Sequence, residues 1–266
     1  MRVSTVTVSG LAALALLDTS FVAPASAQGA FDYWNGWYGG ANAGYRWGDA
    51  NFTSAPYSFT PPPPWAAGPV SIPGRNESFN LDSGVVGVHL GVNRVQDSSN
   101  WMIGLEGSFD WGWGDDGSAG AFSFFNPDTS CFQACTIEYA RVSELEMEWQ
   151  GSIRGRLGRL SDSGSWLTYL TAGVAFVHLE WRESVNGFAI AQTHKADSTE
   201  FGGIVGVGAE RISDNRKWIA GAELLYEWFG DFNVPHGFTN PPQTGKIDDI
   251  DAFKLRVRLS RKFNSN

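Results

Sequence analysis

The sequence predicts an all-β protein, an eight-stranded antiparallel up-and-down transmembrane β-barrel. Three observations predict this fold. Runs of about ten residues alternate apolar and polar side chains, which is the period of a β-strand. The connections between the runs are alternately short and long, and aromatic residues recur ten positions apart within the runs. This combination is typical of outer-membrane barrels, which have short turns at one end and long loops at the other.

Composition narrows the class before any motif is considered. The chain has 266 residues, a formal net charge of −9 and 18% charged residues. The negative charge argues against nucleic-acid binding, which needs a basic surface. Two cysteines exclude a disulfide scaffold and a multi-cysteine zinc site. Downstream of the N-terminal segment, no stretch approaches the ~18 apolar residues of a membrane-spanning helix.

The N-terminal segment is predicted to be a signal peptide, residues 1–27. Arg2 precedes a small apolar stretch, and Ala25-Ser26-Ala27 has the small-residue pattern of a cleavage site. Mature protein would then begin at Gln28, with residues 28–36 as a short periplasmic segment. A buried N-terminal helix is the alternative.

Residues 37–263 are predicted to form the barrel, followed by a tail at 264–266. The eight predicted strands are Trp37–Gly48, Ser83–Arg94, Trp101–Gly112, Met147–Leu160, Trp166–His178, Phe201–Arg211, Trp218–Phe229 and Ala252–Phe263. Three connections are short and rich in turn-forming residues: Val95–Asn100, Ser161–Ser165 and Ile212–Lys217. Four are long and are predicted to be external loops: Asp49–Asp82, Trp113–Glu146, Leu179–Glu200 and Gly230–Asp251.

The paired aromatic residues are predicted to form two girdles at the edges of the bilayer. Even spacing places both members of a pair on one face of a strand. Ten residues in a tilted strand rise about 25 Å, the height of the apolar band of an outer-membrane barrel. The predicted girdle residues are Trp37, Trp47, Trp101, Trp111, Trp166, Phe176, Trp218, Trp228, Phe253 and Phe263. Core aromatics of a soluble β-sandwich are the alternative, but they have no reason to recur at this spacing.

The other face of the strands is predicted to line a charged lumen. Its charged residues are Arg46, Glu106, Asp110, Glu148, Arg154, Arg156, Glu210, Glu223, Glu227, Lys254, Arg256, Arg258 and Lys262. A soluble barrel would show the reverse, with apolar residues inside. Because six acids nearly balance seven bases, we expect a salt-bridged plug. A narrow ion path through the same residues is the alternative.

Other features point less clearly to function. The four histidines, His89, His178, His194 and His236, belong to no motif that defines a catalytic triad, so no catalytic residue, cofactor or metal is predicted. Cys131 and Cys135 could form a disulfide if the residues between them make a turn. The Pro61–Pro64 run could present a polyproline ligand or stiffen a loop.

Acidic residues near the outer end of the barrel allow two interpretations. Glu144, Glu146 and Glu148 share one face of the chain. They could hold divalent cations with lipopolysaccharide phosphates, or simply form a solvated acidic rim, which we prefer.

Several strands resemble small alphaproteobacterial outer-membrane surface antigens, OmpA-like barrels often called the porin family. The matching segments are Trp34-Asn35-Gly36-Trp37-Tyr38-Gly39-Gly40, Trp101-Met102-Ile103-Gly104-Leu105-Glu106-Gly107, Ser152-Ile153-Arg154-Gly155-Arg156-Leu157-Gly158, Gly206-Val207-Gly208-Ala209-Glu210 and Ala222-Glu223-Leu224-Leu225-Tyr226. Members of this family usually end on an aromatic residue, whereas Asn264-Ser265-Asn266 follow Phe263 here.

The resemblance implies a non-enzymatic, monomeric barrel of the cell outer membrane that contributes to envelope integrity and surface properties. The implied partners are outer-membrane lipid, lipopolysaccharide and, through the last strand, the barrel-assembly machinery. A small channel and an adhesin acting through its external loops are the alternative functions.

Overall fold

The computed structural model describes residues 32–60, 69–96, 99–113, 115–126, 135–187 and 190–263. The predicted signal peptide, the Pro61–Pro64 run, Cys131 and the tail at 264–266 lie outside these residues. Within them, no helix is both long and apolar enough to cross a membrane.

Thirteen strands are described. They are β1 (Gly36–Ser54), β2 (Tyr57–Phe59), β3 (Val70–Ile72), β4 (Arg75–Asn80), β5 (Ser83–Val95), β6 (Trp101–Trp113), β7 (Asp115–Asn126), β8 (Cys135–Leu160), β9 (Trp166–Gly187), β10 (Ile190–Ile212), β11 (Ile219–Phe229), β12 (Phe232–His236) and β13 (Gln243–Lys262).

Eight of these strands form a closed antiparallel ring, which confirms the predicted fold class. The ring runs β1-β5-β6-β8-β9-β10-β11-β13 and closes where β13 pairs with β1, for example at Gly44 and Arg256. Three further strands, β4, β7 and β12, pair with ring strands beyond one end of the ring, and β2 pairs with β3. We call the end of the ring that carries β4, β7 and β12 the long-loop end, and the opposite end the short-turn end.

The outer surface of the ring is apolar and its interior is polar, as predicted. In β6, Ile103 on the outer face is 61% exposed, whereas Glu106 on the inner face is fully buried. The alternation of β9, which is weak in the sequence, is clear in the structure. Leu170 and Val174 face outward, while Tyr169 faces the interior.

The strands extend well beyond their predicted ends on the long-loop side. β8 begins at Cys135 rather than Met147, and β9 continues to Gly187. In these extensions the pattern reverses, so that Leu145 and Trp181 are buried inside while Arg182 lies at the surface. The extensions stand outside the apolar band and therefore lack a lipid-facing apolar row. The sequence pattern that predicts the barrel strands does not continue into them.

Two apolar clusters close the interior, one toward each end. The cluster toward the long-loop end is built around Phe52, Phe79 and Trp181, with the rings of Phe52 and Trp181 stacked at a centroid distance of 5.1 Å. The cluster at the short-turn end contains Trp34 and Met102. The Trp34 indole donates a hydrogen bond to the Gly164 carbonyl, at 2.9 Å. The segment preceding β1 therefore packs into the mouth of the barrel.

The backbone of β8 lies close to Gly173 on β9, with no room for a larger side chain. A Cβ atom at this position would lie 2.1 Å from the Ile153 carbonyl oxygen and 2.7 Å from the Arg154 Cα atom. We expect Gly173→Ala to lower the free energy of unfolding by about 1–3 kcal/mol, the usual range for overpacking. The measurement is urea unfolding of the refolded barrel, followed by the mobility of unheated samples on gels. Gly107→Ala is the matched control because its Cβ would lie 3.8 Å from the nearest atom. Equal destabilisation by both substitutions would contradict the prediction.

His236 is predicted to make the long-loop end sensitive to acid. Its buried ring packs against Phe52 and Tyr57, at centroid distances of 5.5 and 5.8 Å. Burial lowers the pKa of His236 below 6.5, and the Arg75 and His194 charges act in the same direction, outweighing the attraction of Glu183. The folded protein therefore binds fewer protons here than the unfolded chain, and stability falls as the pH drops below about 6.5.

The loss is at most about 1.4 kcal/mol per pH unit. Hydrogen exchange in β12, corrected for the intrinsic rate, should be faster at acidic than at neutral pH. His236→Phe keeps an apolar ring without a titratable group, so most of this pH dependence should disappear. Undiminished pH dependence in the variant would assign the effect to another group.

Candidate functional site

The girdle residues occupy the outer surface at two levels. Trp37, Trp101, Trp166, Trp218 and Phe263 lie at the short-turn end, and Trp47, Trp111, Phe176, Trp228 and Phe253 lie toward the long-loop end. All are exposed except Phe176, which is half-buried beside the rings of Trp149 and Phe201. Trp113, Trp149 and Phe201 also belong to the outer aromatic surface, although they do not follow the ten-residue spacing.

Eleven of the thirteen predicted lumen charges are buried in the interior. We call them the lumen network: Arg46, Glu106, Asp110, Arg154, Arg156, Glu210, Glu223, Glu227, Lys254, Arg256 and Arg258. They come from six strands of the ring and comprise five acidic and six basic groups.

Glu106 is the centre of the lumen network. Its carboxylate pairs with the guanidinium groups of Arg154 and Arg258, and lies 3.4 Å from that of Arg156. The Tyr38 hydroxyl donates to it at 2.7 Å. Glu106 faces Arg154 directly across the β6–β8 ladder, while Arg258 reaches it from β13. The network therefore joins strands that are not neighbours in the ring.

Glu223 forms a second centre. It accepts from Arg256 at 2.7 Å and from the Tyr169 hydroxyl at 2.7 Å, and it pairs with Arg258 at 2.6 Å. Because Arg258 contacts both Glu106 and Glu223, the two centres share cations.

The remaining members extend the lumen network in both directions along the barrel. Lys254 bridges Asp110 at 2.8 Å and Glu227 at 2.9 Å. On the other side, Arg156 pairs with Glu210 at 2.8 Å. The result is a continuous set of ion pairs across the interior.

Two of the predicted lumen residues, Glu148 and Lys262, lie outside the lumen network. The prediction for Glu148 is wrong, because a register irregularity between Met147 and Trp149 turns its side chain to the outer surface, where it is 43% exposed. A one-residue irregularity exchanges the two faces of a strand. Lys262 lies at the short-turn end, outside the lumen network, where its ammonium group donates to the Asp32 carbonyl oxygen at 3.3 Å.

Sequence reasoning missed a second charged cluster, in the long-loop end. We call Arg75, Glu77, Arg141 and Glu183 the external network. Arg75 pairs with Glu183 and also with Glu77 at 2.8 Å, and Arg141 pairs with Glu77. Burial lowers the pKa of Arg141, and the adjacent Arg75 cation lowers it further. All four of these residues come from predicted loops, so no strand parity pointed to their meeting.

The external network holds several chain segments together. Glu183 on β9 also accepts a hydrogen bond from the Gly237 amide, at 2.9 Å, just after β12. Arg75 belongs to β4 and Arg141 to β8. Segments from all four predicted external loops therefore meet around one buried carboxylate.

Among the described residues, the lumen groups are engaged mainly with one another and are enclosed by apolar clusters. Such an arrangement can hold the barrel walls in register and fill the lumen. Among the side chains of the described part of the chain, one group with metal-ligand chemistry stands apart from both networks, on the outer surface: Glu148, His178 and Glu180.

Comparison with known proteins finds a similarity in sequence over most of the chain. The chain is 25% identical over 235 residues to the 31 kDa outer-membrane immunogenic protein of Brucella melitensis biotype 1, and the match covers 86% of this chain and 84% of that protein. No protein-family model matches the chain.

Two solved outer-membrane structures also align with most of the chain. Neisserial surface protein A has 13% identity and a TM-score of 0.36, with 86% of this chain and 98% of that chain covered. The outer membrane protease OmpT from Escherichia coli has 8% identity and a TM-score of 0.36, covering 86% of this chain and 97% of that chain.

The sequence similarity extends over nearly the whole barrel, and the structure supplies the closed ring that such a protein requires. The chain is similar in sequence to the 31 kDa outer-membrane immunogenic protein of Brucella, and its fold is a closed eight-stranded antiparallel β-barrel.

Proposed function

We propose that this protein is a non-enzymatic outer-membrane barrel that contributes to envelope integrity and cell-surface properties, with its lumen plugged by the lumen network. The observation that carries the proposal is the burial of eleven charges between two apolar clusters, ten of them in ion pairs and the eleventh, Arg46, donating a hydrogen bond to the Met147 carbonyl oxygen. An eight-stranded barrel has an interior that side chains can fill.

Electrostatics favours a plug over an open path. Glu106, Arg154, Arg156 and Arg256 have side chains with no solvent exposure. Moving such a charge away from its partners leaves an uncompensated buried ion, which is strongly destabilising. Shared cations such as Arg258 make the pairs interdependent, so opening one contact disturbs several others. A permanent ion path would need these contacts to be absent.

The long-loop end supports a role at the cell surface. The strand extensions and the external network hold the four connections together beyond the girdle. We infer that they present an ordered surface to the outside of the cell, on which an adhesive or ligand-binding role could be built. Export of the chain by a signal peptide cleaved before Gln28 is part of the same proposal. So are monomeric insertion among lipid and lipopolysaccharide, and assembly of the barrel by the dedicated machinery through its last strand.

Planar-bilayer recording tests the plug. Folded protein, verified by its heat-modifiable gel mobility, should produce no stable large conductance, because the lumen is filled by paired side chains. A porin of 16 strands, whose barrel leaves an aqueous channel, serves as the positive control. A stable large conductance that scales with the amount of folded protein would overturn the plug and favour the channel.

Neutralising the centre of the lumen network should destabilise the barrel. Glu106→Gln leaves the cations of Arg154, Arg156 and Arg258 undercompensated. We expect a loss of about 3–5 kcal/mol in the free energy of unfolding, seen as a lower urea midpoint or poor refolding.

Glu144→Gln is the matched control for the same measurement. Glu144 lies 3.8 Å from Arg182 at the surface, and an exposed pair of this kind contributes about 0–1 kcal/mol. If the two variants unfold at the same urea concentration, the lumen network does not stabilise the barrel in the proposed way.

A further inference from the structure

A group of three potential metal ligands lies on the outer surface, close to the long-loop girdle. Glu148 belongs to β8, and His178 and Glu180 belong to β9. One ligand atom from each lies within 4.8 Å of the other two. We propose that Glu148, His178 and Glu180 form a binding site for a divalent transition-metal ion of the Zn²⁺ type. The proposal is independent of the plugged lumen.

The irregularity in β8 creates the group. Trp149 is paired directly with His178, and the register shift lies between Met147 and Trp149. With unbroken alternation Glu148 would point into the lumen, as the sequence predicts. The extra residue places it outside instead, next to His178. Bulges of this kind commonly redirect a single side chain at a functional position.

Two contacts fix the orientation of the His178 ring. Its Nδ1 atom lies 3.2 Å from the Thr199 hydroxyl, and its ring stacks on Trp149 with a centroid distance of 5.0 Å and an interplanar angle of 5°. Metal-binding histidines are usually held in this way, with the second ring nitrogen engaged by a neighbour. The Nε2 atom faces the Glu148 carboxylate.

The distance between Nε2 of His178 and the Glu148 carboxylate supports an intervening ion. It is 3.9 Å, which is too long for a hydrogen bond. Two ligands bound to zinc at about 2.0–2.2 Å each lie roughly 3.3–4.2 Å apart, depending on the angle between them. The third ligand, the half-buried Glu180, has its oxygen within 4.8 Å of the other two ligand atoms, so a movement of roughly 1 Å by side-chain rotation would complete the set.

The surrounding charges provide a second, independent argument. Glu180 is directly opposite Glu146 in β8 and Asp197 in β10. Like charges placed directly across a ladder repel one another, and a cation bound at Glu180 would add to the compensation that Arg182 and Lys195 supply from the same surface. These acidic residues border a surface cleft of about 300 Å³, lined also by Glu144, Arg182 and Lys195. Of the three proposed ligands, Glu180 lines this cleft, so an ion bound to it has access to solvent on that side.

The ligand set selects the type of metal. Imidazole favours zinc and its neighbours among the transition metals, whereas calcium and magnesium prefer oxygen ligands throughout. One histidine and two carboxylates leave at least one coordination position open. The site could therefore also take up an oxygen ligand from the lipid headgroup region.

Zinc binding to the untagged, refolded full barrel in detergent micelles tests the proposal. Isothermal titration should show one Zn²⁺ bound per chain. His178→Asn should weaken binding at least tenfold, and Glu180→Gln should also weaken it, because each removes a ligand. X-ray absorption of the zinc complex should show nitrogen and oxygen neighbours with a single imidazole.

Two control variants keep the test specific. Glu144→Gln removes a carboxylate from the same surface but no proposed ligand, and His194→Asn removes an imidazole from a neighbouring strand. Both should bind zinc as the unaltered chain does, with gel mobility confirming that every variant is folded. Absence of zinc binding, or equal weakening in the control variants and in His178→Asn, would overturn the proposal.

Discussion

The structure depends on the mutual neutralisation of charges inside a narrow barrel. The membrane requires an apolar outer surface, and a two-residue period then places the polar positions of every strand in the lumen. Those positions carry arginines, lysines and carboxylates that are stable there only in partnership. Glu106 and Glu223 satisfy this requirement by sharing Arg258, which ties β6, β11 and β13 across the interior. The same ion pairs that stabilise the buried charges also fill the lumen.

Beyond the long-loop girdle the outer face meets water instead of lipid. There the distribution of side chains is reversed, with apolar residues inside and charged residues outside. Leu145 and Trp181 turn inward, and charged residues such as Arg182 turn outward. The external network resembles the lumen network on a smaller scale. Its Glu183 is a buried carboxylate held by Arg75 and by a backbone amide. One continuous sheet thus changes from a membrane barrel to a water-soluble barrel along its own length.

Parity reasoning located most of the lumen network because a regular strand keeps each side chain on one face. It failed at Glu148, where a local register irregularity exchanged the faces. It could not find the external network, since Arg75, Glu77 and Arg141 lie in segments whose pairing depends on long-range contacts. Lys262 shows a third kind of error, in which the parity is inward but the residue lies beyond the last layer of partners.

By itself, the sequence determined the class of the fold, the number of strands in the ring and the two levels of the aromatic girdles. These follow from period-two alternation and from the thickness of a bilayer, which act on each strand locally. Only the tertiary structure decided which charges meet and how far the strands continue outside the membrane. It also decided that Glu148 stands beside His178 and Glu180. Such outcomes depend on the register between strands distant in sequence, which no local pattern records.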